Sequence, residues 1–211
     1  AFVAKVNAAG TDLVYAGYIG GSGIEFGQGI AIDSSGTAYV TGYTESSSVT
    51  FPSSVGPDVS SNGWWDAFVA KVVADGAGLE YAGYLGGGGS EYGRGIAVDG
   101  GGNTYVTGYT TTSAPSFPIA IGPDLMFNGG TYDAFVAKVV ADGSALVYAG
   151  YIGGTFDDIG YGVAVDGHGN SYVVGGTGSS APSFPVAIGP DLTFNGGTYD
   201  AFVAKVVADG S

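Results

Sequence analysis

Apolar residues along this chain come in short runs, each cut by glycine, aspartate or proline before it could complete three helical turns. Phe68-Val69-Ala70-Lys71-Val72-Val73 is β-branched and free of Gly and Pro, which predicts a strand. Asp75-Gly76 predicts a turn, because both residues tolerate tight-turn backbone geometry. Leu79 to Leu85 predicts a second strand, and Gly86 to Gly89 ends it. Gly95 to Asp99 is a third, Gly100 to Asn103 turns the chain, and Thr104 to Thr110 is a fourth. Four short strands in succession predict an antiparallel meander. The runs are apolar on both faces, as in Phe68-Val69-Ala70, so each small sheet must be covered on both sides. Face-to-face stacking of successive sheets meets that need, and radially arranged four-stranded sheets are propeller blades.

The pattern returns. Asp-Ala-Phe-Val-Ala-Lys-Val stands at Asp66, Asp133 and Asp200, and its last six residues open the chain at Ala1. A fixed period of about 67 residues marks a repeat architecture. The units are 1–66, 67–133 and 134–200, with 201–211 as the first strand of a further repeat. Ala1 aligns with Ala67, so the sequence opens inside a repeat, as expected of a piece of a longer array. Between meanders runs a segment such as Thr111 to Tyr132, interrupted by Pro115, Pro118 and Pro123. Each proline removes a donor that a ladder needs. Yet Ala114-Pro115-Ser116-Phe117-Pro118 recurs at Ala181 to Pro185, which predicts an ordered excursion whose Phe, Ile and Leu side chains pack on the sheets.

Composition narrows the class. Forty-two glycines without a Gly-X-Y period exclude collagen, and 45% hydrophobic residues exclude a disordered linker. The formal charge is −14, with only five bases, four of them the repeat lysines Lys5, Lys71, Lys138 and Lys205. No basic cluster exists to bind phosphate backbones, so nucleic acid is not an expected partner. No apolar run is long enough to span a bilayer as a helix, so membrane insertion is not expected. Without cysteine, disulfides and thiolate metal sites are excluded.

Asp66 to Lys71, Leu79 to Gly87, Gly93 to Asp99 and Gly102 to Gly108 together resemble the bacterial SBBP-type β-propeller repeat family, through all three repeats. The resemblance implies an all-β fold of tandem four-stranded propeller-like blades and an extracellular or cell-surface location. It carries no catalytic residues. Toroidal propellers use about four to eight blades. Three repeats and one strand therefore predict an array that is open or completed by oligomerisation. A linear or helical stack of sheets in a fibre is the alternative.

Candidate chemistry is sparse. Asp33, Asp99 and Asp166 each open a Gly-containing turn. The primary reading is a self-capped turn, and the secondary one a Ca²⁺ ligand, since Ca²⁺ takes oxygen ligands. No cofactor is otherwise expected. Glu25, Glu91, Asp157 and Asp158 follow the glycine breaks and read as solvated acidic loops; a glycosidase pair would need two facing carboxylates. His168, the sole histidine, has no Cys or second His to form a triad or zinc site with. The repeat lysines read as stems lying on apolar surface with the amine reaching a carboxylate or solvent. Trp64, Trp65, Tyr132 and Tyr199 are candidate interface or glycan contacts.

These features predict a non-enzymatic extracellular repeat scaffold, adhesive or filament-forming. It would assemble with further copies of itself through Phe2, Val3 and Lys5 of the first strand and Phe202, Val203 and Lys205 of the last. An unpaired strand edge invites such pairing. A glycan-binding propeller module, with Ca²⁺ assisting, is the alternative.

Overall fold

A computed structural model describes residues 1–211. Thirteen strands and no helix make up the regular structure. They are β1 (Phe2–Val6), β2 (Leu13–Tyr18), β3 (Glu25–Ile32), β4 (Ala38–Thr44), β5 (Asp66–Val72), β6 (Leu79–Leu85) and β7 (Glu91–Val98), followed by β8 (Thr104–Thr110), β9 (Asp133–Val139), β10 (Leu146–Ile152), β11 (Asp158–Val165), β12 (Ser171–Thr177) and β13 (Asp200–Val206). Two complete sheets have the orders β3-β4-β5-β6 and β7-β8-β9-β10. An incomplete sheet, β11-β12-β13, and the hairpin β1-β2 stand at the two ends. All neighbours are antiparallel. The fold is a set of tandem open blades, as the sequence predicts.

The predicted meander needs one correction. The run from Phe68 to Thr110 does not form a single sheet: β5 and β6 close one blade, while β7 and β8 open the next. The sheet is therefore out of phase with the sequence repeat by two strands. The Asp-Ala-Phe-Val-Ala-Lys-Val strand sits inside its blade, between β4 and β6 or between β8 and β10. The glycine run Gly86 to Gly89 is the crossing from one blade to the next. The long proline excursion, which looks like a divider, joins two strands of the same sheet.

Strands β3, β7 and β11 face one another at the inner side of the stack. Each carries one extra residue opposite its partner, at Gln28, Arg94 and Tyr161, a β-bulge. The bulge drives backbone against backbone: a Cβ on Gly108 would lie 1.8 Å from the Tyr92 carbonyl oxygen, so only glycine fits opposite it. At the outer edge the excursion covers the last strand. Ala82 and Tyr84 donate backbone hydrogen bonds to Val55 and Asp58, and Ala149 and Tyr151 donate to Ile121 and Asp124. Covering an edge in this way blocks unwanted pairing.

The core lies between successive sheets. Tyr39 and Val69 of one blade pack with Ile96, Val106 and Phe135 of the next. Phe117 of the excursion is buried against Phe135 and Tyr151, with ring centroids 5.3 Å apart in both pairs. Truncating a buried ring such as Phe135 to Ala costs about 3–5 kcal/mol. The predicted packing of the excursion holds for its Phe residues. Ile121 and Leu125 keep much of their surface exposed, and Ile188 is entirely exposed.

Candidate functional site

The first candidate is an unfilled strand position. In both complete blades an outer strand fits between the Asp-Ala-Phe-Val-Ala-Lys-Val strand and the excursion. Beside β13 no such strand is present within residues 1–211, and a groove of about 960 Å³ runs between β13 and the excursion. Phe184, Ile188, Asp191, Phe202, Ala204 and Val206 line it. Phe202 packs on Phe184 at 5.1 Å but has no counterpart of Tyr151, which covers the same ring pair in the preceding blade. Val203 is 56% exposed where Val136 is fully buried, and Lys205 is exposed. At the other end Val3 is buried, while Phe2, Lys5 and the outer face of β2 are open, Tyr18 being 95% exposed.

The turn aspartates are hydrogen-bonded to their own loops. Asp99 Oδ1 accepts from the Gly101 and Asn103 amides, both at 2.9 Å, and Oδ2 from Asn103 Nδ2 and the Tyr105 hydroxyl. Asp166 repeats this with His168 N, Asn170 and Tyr172. Asp33 does so with Ser35, Thr37 and Tyr39. Partial burial pushes the Asp99 pKa up, but the bonds from Asn103, Tyr105 and Gly101 outweigh it and hold the carboxyl below its ordinary value. The Asn170 side chain leads the set of bonds that lowers Asp166, and the Ser35 hydroxyl leads at Asp33. The repeat lysines belong to the same motif, with Lys71, Lys138 and Lys205 lying 5.1–5.5 Å from the ring centres of Tyr39, Tyr105 and Tyr172. Such cation–π contact gives each ammonium a ring face to sit over, and the Lys71 amine also reaches the Glu80 carboxylate at 2.6 Å.

The carboxylates read as solvated loops are placed otherwise. Glu91 and Asp158 are fully buried, and Glu25 is half-buried. Each buried acid opens the inner strand of a blade and meets the aspartate that opens the third strand of the preceding blade: Asp66 for Glu91, Asp133 for Asp158. A backbone bond fixes each meeting, with Glu91 N donating to Trp65 O and Asp158 N to Tyr132 O, both at 2.7 Å. Glu91 accepts from Gly87 N and from the Thr110 and Thr112 hydroxyls. Asp158 Oδ2 accepts from Gly154 N and Ser179 Oγ. Oδ1 of Asp66, Asp133 and Asp158 is buried with no hydrogen-bond partner. Burial raises the pKa of all four acids. For Asp133, desolvation with the neighbouring carboxylates of Asp158, Asp124 and Asp157 pushes it up to about 7. A period of about 67 residues in both acids of the pair is the sequence signal that could have located them.

The aromatic candidates divide. Trp65 packs on Tyr43 at 5.3 Å and Tyr132 on Tyr109 at 4.9 Å, both edge-on, so these rings seal the blades. Trp64 is 82% exposed, and Tyr199 is partly exposed beside Asp157. His168 is exposed on its turn, and no acid other than Asp166 bonds to its backbone.

A β-propeller repeat model, SBBP, matches residues 14–48, 80–113 and 147–180. Each match spans the second, third and fourth strands of a repeat and so bridges two adjoining sheets. Each stops before the Asp-Ala-Phe-Val-Ala-Lys-Val strand. No curated protein matches the chain. With three copies of this unit building its sheets, the chain belongs to the SBBP β-propeller repeat family, as a tandem scaffold of open blades.

Proposed function

We propose that the chain is a non-enzymatic extracellular scaffold, adhesive or filament-forming, whose copies join through their terminal strands. One observation carries this reading. The strand that fills the outer position in the second blade, Leu146–Ile152, has the same sequence as Leu13–Ile19, which forms β2 and its continuation. The β1–β2 hairpin of a second copy therefore has the sequence that the groove beside β13 accommodates. Its β1 would take the place of β13 next to β12, an exchange between identical residues, Ala1–Val6 for Ala201–Val206. Its β2 would reach Ile188 and Asp191, the counterparts of Ile121 and Asp124. Exchange of an identical element between protomers is a low-cost route to assembly.

Analytical ultracentrifugation over a wide concentration range tests it. Association is expected to rise with concentration and to be suppressed by Ala16→Pro, which removes a ladder donor from β2. A monomer at every concentration contradicts the reading.

Exposed Trp64 supports a second reading, a glycan-binding module in which the indole stacks on a sugar ring. A glycan array should then show binding that is lost in Trp64→Ala, whereas an array without hits removes this reading.

A further inference from the structure

The proposed strand exchange does not use the four junction carboxylates, and their environment is unusual. Asp66 and Asp133 come from the third strand of one blade, Glu91 and Asp158 from the inner strand of the next, so each pair spans a blade-to-blade seam. The two members approach closely. A Cβ on Gly86 would stand 2.3 Å from Asp66 Oδ1 and 2.6 Å from Glu91 Oε2, which places both oxygens against one glycine. At the next seam a Cβ on Gly153 would stand 2.7 Å from Asp133 Oδ1, and the amide of the following residue, Gly154, donates to Asp158 Oδ2. All four side chains are at least 99% buried. Three of their oxygens accept no hydrogen bond, Asp133 and Asp158 each contributing one at the same seam.

No base answers this charge. Lys71 pairs with Glu80 at 2.6 Å, the one ion pair in the protein. Lys138 reaches Ala208 O and the Tyr105 ring, and Arg94 reaches Gln28 and Tyr109. A buried carboxylate without a partner is among the costliest groups a fold can hold, and two facing each other add repulsion. Buried charges of this kind are paired or coordinate metals.

We propose that each complete seam binds a hard divalent cation of the Ca²⁺ type, held between Asp66 and Glu91 at one seam and between Asp133 and Asp158 at the other. The donor set suits such an ion: carboxylate oxygens only, with no nitrogen or sulfur ligand nearby, as Ca²⁺ prefers. No third His, Cys, Asp or Glu joins either pair. The remaining ligands of a six- to eight-oxygen shell are therefore hydroxyl, carbonyl and water oxygens. The ion would tie one blade to the next from inside, so that seam rigidity depends on cation supply. The turn aspartates Asp33, Asp99 and Asp166, satisfied by their own loops, are not ligands. The inference does not depend on how copies associate.

Thermal unfolding of the whole chain tests it at pH 8, in chelator and with saturating CaCl₂. A rise in Tm of about 5 °C or more is expected when ligand exceeds its Kd about 100-fold. Asp133→Asn/Asp158→Asn should lose about half of that rise, and adding Asp66→Asn/Glu91→Gln should abolish it. Asp99→Asn should keep it in full. Circular dichroism in chelator checks that each variant folds. If the first pair does not fold, Asp66→Asn/Glu91→Gln alone reads the same loss at the other seam. An unchanged Tm with Ca²⁺, together with a Tm that falls from pH 5 to pH 8 equally in both buffers, overturns the proposal: the pairs then hold a shared proton. A Ca²⁺ shift that survives all four substitutions overturns it as well.

Discussion

Asp99 and Asp133 both recur once per repeat, both sit at the edge of a strand, and both are shielded from solvent to some degree. They differ in what surrounds the charge. Asp99 gathers three donors from its own five-residue turn and a fourth from Tyr105 on the strand that follows, and leaves no oxygen unmet. Asp133 receives one amide bond, from Asn128, while its other oxygen is buried without a partner and the Asp158 carboxylate across the seam acts on its charge. The first arrangement is local and stabilises the charged form. The second is made by two blades coming together, and it penalises the charged form until something neutralises it. In this fold a carboxylate that completes a turn and one that awaits a ligand are told apart by the source of their donors.

The comparison breaks most visibly at the glycine against each acid. Gly86→Ala pushes a methyl group onto Asp66 and Glu91 and should destabilise by about 1–3 kcal/mol in urea unfolding, with loss of any Ca²⁺ response at that seam. Gly100→Ala in the Asp99 turn meets no atom within 4 Å and should be nearly neutral, within about 0.5 kcal/mol. Equal costs at the two positions would remove the distinction.

Removing the acids should give effects of opposite sign. Asp99→Ala deprives the Gly101 and Asn103 backbone amides, the Asn103 side chain and the Tyr105 hydroxyl of their acceptor, a loss of roughly 1–2 kcal/mol because the turn is partly solvated. Asp133→Asn in chelator at pH 8 relieves a buried charge and should raise the unfolding midpoint. A fall there as large as that of Asp99→Ala contradicts the account.

A smaller effect is the shape of stability against pH in chelator. The folded pKa of Asp133 is raised to about 7, above an unfolded value near 4, so the folded state binds more protons between those limits. Stability should therefore fall as pH rises from about 4 to about 7 and flatten above. The turn aspartates are lowered, so their contribution is present above about pH 4 and is lost as pH falls through their folded values. Asp133→Asn/Asp158→Asn should make only the first limb shallower, since Asp66 and Glu91 still contribute to it, and Asp99→Asn should weaken the second. Urea midpoints from pH 3 to pH 8 separate them.

Strands and turns were legible because their causes are local. Leu79–Leu85 and Thr104–Thr110 fall where the apolar runs predict, and the Asp-turn-Gly segments fold as self-capped turns. Sheet membership was not legible. Every strand is apolar on both faces, so nothing in Tyr105 or Phe135 says which neighbour it prefers. The two kinds of connection also mislead: the five residues Gly86 to Ser90 cross between sheets, whereas the long proline excursion returns to the same one. Glu91 and Asp158 read as solvated because each follows a glycine break, and their burial exists only once two blades meet. The partner acids stand 25 residues upstream, Asp66 for Glu91 and Asp133 for Asp158, a separation that no short motif connects.

Equilibrium dialysis of metal-stripped protein against Ca²⁺ at pH 8, read by elemental analysis, tests the seam account most directly. Two ions bound per chain are expected, one for each complete carboxylate pair, falling to one in Asp133→Asn/Asp158→Asn. No bound ion above the buffer background, or an unchanged count in that variant, would contradict it.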